Sequence, residues 1–295
     1  MDDQEEPANY SDRLTTCSGR TSDVKFFMAI KNVVVLGGTR GFGLELAKEF
    51  ASLGARLAIT GRNLTDAKIA AKNISTADAS SQQVSGFAAD IRSSDSLETL
   101  QRDIADTFGR IDILVVNAGV NQIADKAWNS SPQDIEQVIT TNLCGAMYAV
   151  HAFMPAMVKA RHGSIWFIEG LGSNGMVVDK HSLYGSSKRA LAYYWRALAK
   201  EAKGTGVSIC ALSPGMMITD FLTGGLKHQI QADRAKTIRV FNILADRPET
   251  VAKFAAPRML AGSRNGQLLQ WLTTPKTMLR FMCAPFSKRS IYTQP

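Results

Sequence analysis

From Asn32 onward, short β-branched runs alternate repeatedly with longer amphipathic stretches. The strand runs are Val33 to Leu36, Arg56 to Thr60, Gln83 to Ala88, Ile113 to Val116, Ser164 to Ile168, Val207 to Leu212 and Gln267 to Leu272. Between them the periodicity predicts helices beginning near Gly43, Leu64, Asp95, Gln133 and Leu183. Continuous apolar strands joined by helices imply a parallel sheet covered on both faces, because right-handed crossovers place the helices there. The expected fold class is therefore α/β, a doubly wound parallel sheet. Ligands in such sheets bind beyond the carboxyl ends of the strands, where the strand order switches, so the residues just after each strand matter most.

Composition bounds the rest. With 295 residues, 45% of them hydrophobic, the chain can bury one sizeable core, and a single domain over residues 29–275 is expected. Residues 1–28 lack apolar periodicity and are rich in Asp, Glu, Ser and Thr, which predicts a disordered extension. No uninterrupted apolar run approaches the roughly 18 residues that cross a bilayer, and the start is acidic where targeting signals are basic, so a soluble protein is expected. The four cysteines, Cys17, Cys144, Cys210 and Cys283, have no metal-binding or redox spacing; no metal site is expected, and free thiols are. A net charge of +8 favours an anionic ligand or surface, without pointing to nucleic acid. Residues 276–295 form a basic, apolar tail that includes Lys276, Arg280, Phe281, Met282, Phe286, Lys288 and Arg289. A solvated tail is the first expectation for it and a peripheral membrane contact the second.

The first strand runs into Gly37-Gly38-Thr39-Arg40-Gly41-Phe42-Gly43, a G-x-x-x-G-x-G turn at the start of a helix. Glycines there serve a tight turn, close approach to a pyrophosphate and helix-on-strand packing, and the helix N-terminus favours phosphate. That is a dinucleotide site in a single-domain Rossmann-type fold. The second strand ends without an acid and with Arg62, and Arg40 lies in the glycine turn, which suits the 2′-phosphate of NADPH/NADP+ rather than the free ribose of NADH. Asp90 and Ile91 follow the third strand, where a carboxylate can accept from the adenine amino group. Asn117-Ala118-Gly119 follow the fourth, where small residues let a cofactor lie on the backbone. Tyr184 and Lys188 stand four apart on one helical face, and an ammonium near a phenol lowers the phenol's pKa.

In this order and spacing the glycine turn, Asp90, Asn117-Ala118-Gly119, Asn142, Tyr184 with Lys188, and Ser213-Pro214-Gly215 resemble the short-chain dehydrogenase/reductase family over about Asn32 to Asp220. The resemblance implies Tyr184 as acid/base, Lys188 as its pKa-lowering partner on the nicotinamide ribose, and Asn142 as anchor of a proton-relay water. It also implies cofactor contacts from Pro214, Gly215, Met217 and Thr219. Two positions depart from the family pattern. Gly170 and Leu171 stand where a carbonyl-binding Ser is usual, with Ser173 as the substitute donor, and Leu36 replaces the usual Thr.

The loop Gly170-Leu171-Gly172-Ser173-Asn174-Gly175 ahead of Tyr184 is similar to the chlorophyll(ide) b reductase branch, which reduces the C7 formyl group to hydroxymethyl. That resemblance implies an apolar carbonyl substrate, a chlorophyll pigment. The alternatives are another apolar aldehyde or ketone, or a regulatory NADPH-binding protein without chemistry. It further implies a homo-oligomer, dimer or tetramer, in the cytoplasm, the chloroplast stroma or at the thylakoid periphery. Met216, Met217, Phe221 and Leu222 are candidates for an apolar wall over the substrate, and Trp195 is expected to pack between helices or at a subunit contact.

Overall fold

A computed structural model of the chain describes residues 30–77, 83–121, 124–223, 231–287 and 289–292. The expected extension over residues 1–28 lies outside the described residues. Seven parallel strands form one sheet: β1 (Asn32–Leu36), β2 (Arg56–Gly61), β3 (Val84–Ala88), β4 (Ile113–Val116), β5 (Ser164–Ile168), β6 (Ser208–Ser213) and β7 (Leu268–Gln270). Their order is β3-β2-β1-β4-β5-β6-β7, so the switch lies between β1 and β4. All seven strand runs read from the sequence are present.

Alternate residues of the strands feed two cores. Val34, Leu36, Leu114, Val116, Ile165 and Phe167 point to one face, under α3 (Ser94–Phe108), α5 (Gly145–Ala160) and α6 (Ser182–Glu201). Val33, Val35, Leu57, Ile59, Ile113, Val115 and Trp166 point to the other, under α1 (Gly41–Ser52), α2 (Leu64–Ala77) and α9 (Pro248–Leu260). Strands buried on both faces read as unbroken apolar runs for this reason. Each large, fully buried side chain, such as Phe50, Phe153 or Trp166, contributes on the order of 2–3 kcal/mol.

Local signals fix the helix starts. Ser93 caps α3, its hydroxyl accepting from Ser96 N at 3.2 Å. Ser131 and Asp134 form a reciprocal capping box ahead of α4 (Pro132–Ile139), with Pro132 at the first turn. The helix expected near Gln133 does not end with α4. It passes through a π turn (Thr140–Cys144) into α5, a run of 29 residues from Pro132 to Ala160 that is long and apolar enough by composition to cross a bilayer. This corrects the expectation that no such segment exists, which counted only uninterrupted apolar residues. Here the run packs along the sheet, its inner side in the core with α3 and α6.

Four helices went unpredicted: α7 (Asp220–Thr223), α8 (Gln231–Leu244), α9 and α10 (Thr274–Cys283). The last corrects the expectation of a solvated tail. After α10 the chain returns to the body of the domain. There Ile291 N and Tyr292 N both donate to Asn242 Oδ1, at 2.9 and 2.8 Å, and Tyr292 meets Phe241 edge-on.

Candidate active site

At the sheet's switch point the ends of β1 and β4 are tied together. Asn117 Nδ2 donates to Gly37 O at 2.8 Å, while Gly37 N and Gly38 N donate to Thr60 Oγ1 and O at 3.2 and 3.0 Å. Gly37 has φ +78°, and a Cβ on Gly43 would lie 2.1 Å from Gly37 O and 2.4 Å from Asn117 Nδ2, so both positions require glycine. Arg40 is the N-cap of α1 but gives it no side-chain cap, which leaves the N–H groups at Gly41, Phe42 and Gly43 available to an anion. Thr39 packs against Gly61, and Thr219 crosses over Gly41, its methyl 3.9 Å from where a Cβ would stand. Arg40 and Arg62 are both exposed at this edge.

Asp90 is already partnered. Arg92 Nε and Nη2 donate to its two carboxylate oxygens at 2.7–3.2 Å, and this fork lowers its pKa against the opposing effect of burial. Ile91 packs on Gly145, where a Cβ would approach within 2.9 Å. Gly119 leaves an open floor, with Asn142 Oδ1 at 3.2 Å and Lys188 Nζ at 3.9 Å from where its Cβ would stand. Pro214 is buried, and Gly215 turns at φ +73° beneath Leu272. Met217 bridges to Asp246 in the segment that follows β6. This glycine cradle and uncapped helix start fit the pyrophosphate of a dinucleotide.

Tyr184 and Lys188 lie on the inner face of α6, 7% and 5% exposed. Lys188 Nζ donates to Ile168 O at 3.0 Å and lies 6.0 Å from the Tyr184 ring centroid. Burial pushes the Tyr184 phenol above its ordinary value and lowers the Lys188 ammonium to about 8, with Glu169 opposing the second shift. Removal from water is what raises the phenol. The Tyr184 hydroxyl rests against Gly170, 2.4 Å from where a Cβ would stand. The space a side chain at position 170 would fill is therefore taken by the tyrosine itself.

Ser173 and Asn142 are both held in hydrogen-bond networks. Ser173 is 2% exposed; its hydroxyl accepts from Gly170 N at 3.1 Å and donates to Lys188 O at 3.3 Å. Both contacts brace the loop against α6. Asn142, on the π turn, accepts from Val120 N at 2.8 Å and donates to Val120 O and Ser187 Oγ at 2.9 and 3.1 Å. Both amide hydrogens are engaged in this framework, so the side chain ties the Val120 loop to Ser187. Inserted π turns recur at functional sites because they re-aim one side chain.

The sequence reading missed Ser187 and Glu169. Ser187 donates to Tyr184 O at 2.7 Å and links it to Asn142; its place three residues after Tyr184, on the same helical face, was the available signal. Glu169, 5% exposed, accepts from Trp195 Nε1 at 3.1 Å and Arg196 Nη2 at 3.2 Å. Trp195 is buried as expected, and its indole N–H finds this carboxylate. Phe221 on α7 meets the Tyr184 ring edge-on at 5.7 Å, while Met176, Val177 and Val178 stand exposed on the loop entering α6. Phe221 thus sets an apolar ring against Tyr184.

A family model described as short chain dehydrogenase matches residues 31–229. A chloroplastic protein of Arabidopsis thaliana named as a probable chlorophyll(ide) b reductase is 31% identical over 264 residues, 84% of this chain and 52% of the relative. A chloroplastic chlorophyll(ide) b reductase of Oryza sativa is 31% identical over 236 residues, 78% of this chain and 66% of the relative. The chain thus spans about half the length of the first of these relatives. A crystal structure of a metagenomic short-chain oxidoreductase in complex with NADP superposes with a TM-score of 0.66 at 25% identity, over 81% of this chain and 96% of that one.

Proposed function

The chain belongs to the short chain dehydrogenase family and is an oxidoreductase; on that premise we propose that it is an NADPH-dependent carbonyl reductase acting on the C7 formyl group of chlorophyll(ide) b. The observation that carries this reading is Tyr184, buried beside Lys188 with its hydroxyl against Gly170 and its ring beneath Phe221. The names of the relatives support the pigment and a chloroplast setting.

Gly37, Thr39, Gly41, Phe42 and Gly43 would hold the pyrophosphate, Arg40 and Arg62 the 2′-phosphate, and Asp90 with Ile91 the adenine side. Asn117, Ala118, Gly119, Pro214, Gly215, Met217 and Thr219 would line the path to the nicotinamide. NADPH, when bound, supplies a hydride to the carbonyl carbon. Tyr184 gives its hydroxyl proton to the developing alkoxide oxygen. A phenol whose pKa is raised by burial is fully protonated at neutral pH, as a donor in the reductive direction must be. Lys188, with a pKa near 8, is poised to return that proton and to stabilise the momentary phenolate by its charge.

No serine hydroxyl stands at position 170 or 171 to polarise the carbonyl. An aldehyde is more electrophilic than a ketone and tolerates the loss of one donor better, which favours a formyl substrate. Phe221, edge-on to Tyr184, offers it an apolar approach.

The test is incubation with NADPH and chlorophyllide b, followed by chromatography for the C7 hydroxymethyl product. Product that vanishes in Tyr184→Phe, while NADPH fluorescence still reports binding, is the expected result. Turnover retained in Tyr184→Phe would remove Tyr184 from its role. NADPH binding without product in the wild type would withdraw the pigment and leave another apolar carbonyl as substrate.

A further inference from the structure

The segment between β6 and α8 touches both halves of the site. Thr219 crosses over Gly41 of the glycine turn, and Phe221 sets its ring edge-on to Tyr184 at 5.7 Å. Asn121 Nδ2, from the loop after β4, donates to Phe221 O at 3.3 Å. Yet the segment has little structure of its own: α7 is four residues long, and no residue from Met216 to Thr223 is fully buried. A stretch with so few internal hydrogen bonds and so little burial opens easily unless something outside it fixes its place.

Asp246 is that anchor. Its backbone forms a short parallel bridge with the segment, Asp246 N donating to Met216 O at 2.9 Å and Ile218 N to Asp246 O at 3.0 Å. Met216, Ile218 and Leu222 then pack with Phe241, Ala245 and Tyr292 in a small cluster of their own. The buried Asp246 carboxylate takes its donors from the C-terminal part of the chain: Trp271 Nε1 at 2.6 Å, Arg280 at 3.1 Å and Arg289 at 2.6 Å. Arg280 comes from the inward, polar side of α10, whose apolar Met278, Leu279 and Met282 face outward and are exposed. It also donates to Leu244 O, and Arg289 donates to Ile243 O and Ala245 O. The two guanidinium groups therefore grip the backbone before Asp246 as well as its charge.

No hydrogen bond of Arg280 or Arg289 goes to a residue assigned above to cofactor or chemistry, so any influence on the site passes through the bridge. Charge-assisted bonds of fixed, forked geometry hold a backbone more firmly than two amide bonds near the surface. Removing one guanidinium leaves a buried carboxylate short of a partner, and the peptide that carries it shifts. We propose that Arg280 and Arg289 are positioning residues for the substrate side of the site: through Asp246 they hold residues 216–223, and with them Phe221, against Tyr184. The kinetic consequence rests on the reductase reading, whereas the placement of the segment does not.

The test is Arg289→Gln, followed by hydrogen–deuterium exchange and by steady-state kinetics with chlorophyllide b. Amides of residues 216–223 should exchange about tenfold faster, while β1, β4 and β5 keep their wild-type rates. KM for the pigment should rise about tenfold with kcat within about twofold, and the rise should be much smaller in a Phe221→Leu background, where the ring is already gone. Arg289→Lys keeps the charge but not the fork; it should give an intermediate rise in exchange, and it carries the test where the glutamine variant does not fold. Unchanged exchange over 216–223 overturns the proposal, as does faster exchange spread evenly over the sheet, which would make Arg289 a general stabiliser. A KM effect that adds in full to that of Phe221→Leu overturns the route through Phe221. Wild type that forms no product from chlorophyllide b removes the pigment alone, and the exchange rates then decide the placement by themselves.

Discussion

At Lys188 two requirements oppose each other. The ammonium must stay charged to assist Tyr184, yet burial lowers it from 10.5 to about 8. A lysine whose folded pKa lies below its unfolded one destabilises the fold fully below the folded value, and the penalty fades as pH rises towards the unfolded value. Lys188→Met should therefore abolish turnover while stabilising the protein by about 2–3 kcal/mol at pH 7, a gain that disappears by about pH 10.5. Urea titrations of both proteins across that range check it; a variant less stable than the wild type at pH 7 would mean that the bond to Ile168 O outweighs the burial of charge. Gly170 belongs to the same scale. Because a Cβ there would stand 2.4 Å from the Tyr184 hydroxyl, Gly170→Ser should lower kcat about tenfold to a hundredfold rather than restore a missing donor, with NADPH affinity unchanged. Steady-state kinetics of the serine variant decide this.

Among the elements, what the sequence made legible followed burial on two faces. The central strands were visible because β-branched runs such as Val33 to Leu36 are apolar at each position, and the helices near Leu64, Asp95 and Leu183 were visible because one face of each is apolar. Helix α8 mixes Arg234, Lys236 and Arg239 with Ile238, Val240 and Phe241 and offers no clear stripe. Helix α10 carries a stripe of the wrong sense, which the rule of apolar-side-inward cannot place. In the site, residue identity was legible where chemistry demands one side chain at fixed spacing, as for Gly37, Gly43, Tyr184 and Lys188. Partnerships were not: Ser173 turning to Lys188 O, Arg92 forking Asp90 and Glu169 receiving Trp195 each depend on distances that only folding sets.

For the whole molecule, Asp246 is the joint between the reductase body and its C-terminal segment. Its backbone pairs with the strand-like stretch after β6, with Ile218 N donating to Asp246 O and Asp246 N to Met216 O, and its side chain holds Arg280 and Arg289. Burial alone would raise its carboxyl, but hydrogen bonds from Arg280 and Trp271 and the charges of both arginines hold it below the usual value. Stability from a lowered carboxylate is present above its unfolded pKa and is lost as pH falls through the folded one. Asp246→Asn should lower the unfolding free energy by roughly 3 kcal/mol at pH 7, and the difference should start to shrink near pH 4 and close only once pH has fallen below the lowered folded pKa. Denaturant melts at the two pH values test this, and an equal deficit at both would place the effect in packing rather than in charge.

The sheet that supports all of this has a consequence in time. Every ladder is parallel, so no strand pairs with a neighbour through a tight turn: Val33 pairs with Ile113, and Ala211 with Leu268. The chain must close long loops before the first of these contacts rewards it, which makes such topologies slow to fold. During synthesis the apolar segment beyond Thr273 is the last of the described α-helices to emerge, after all seven strands have been made. Its polar side can therefore settle on Asp246 as soon as it is made, while its apolar side stays at the surface.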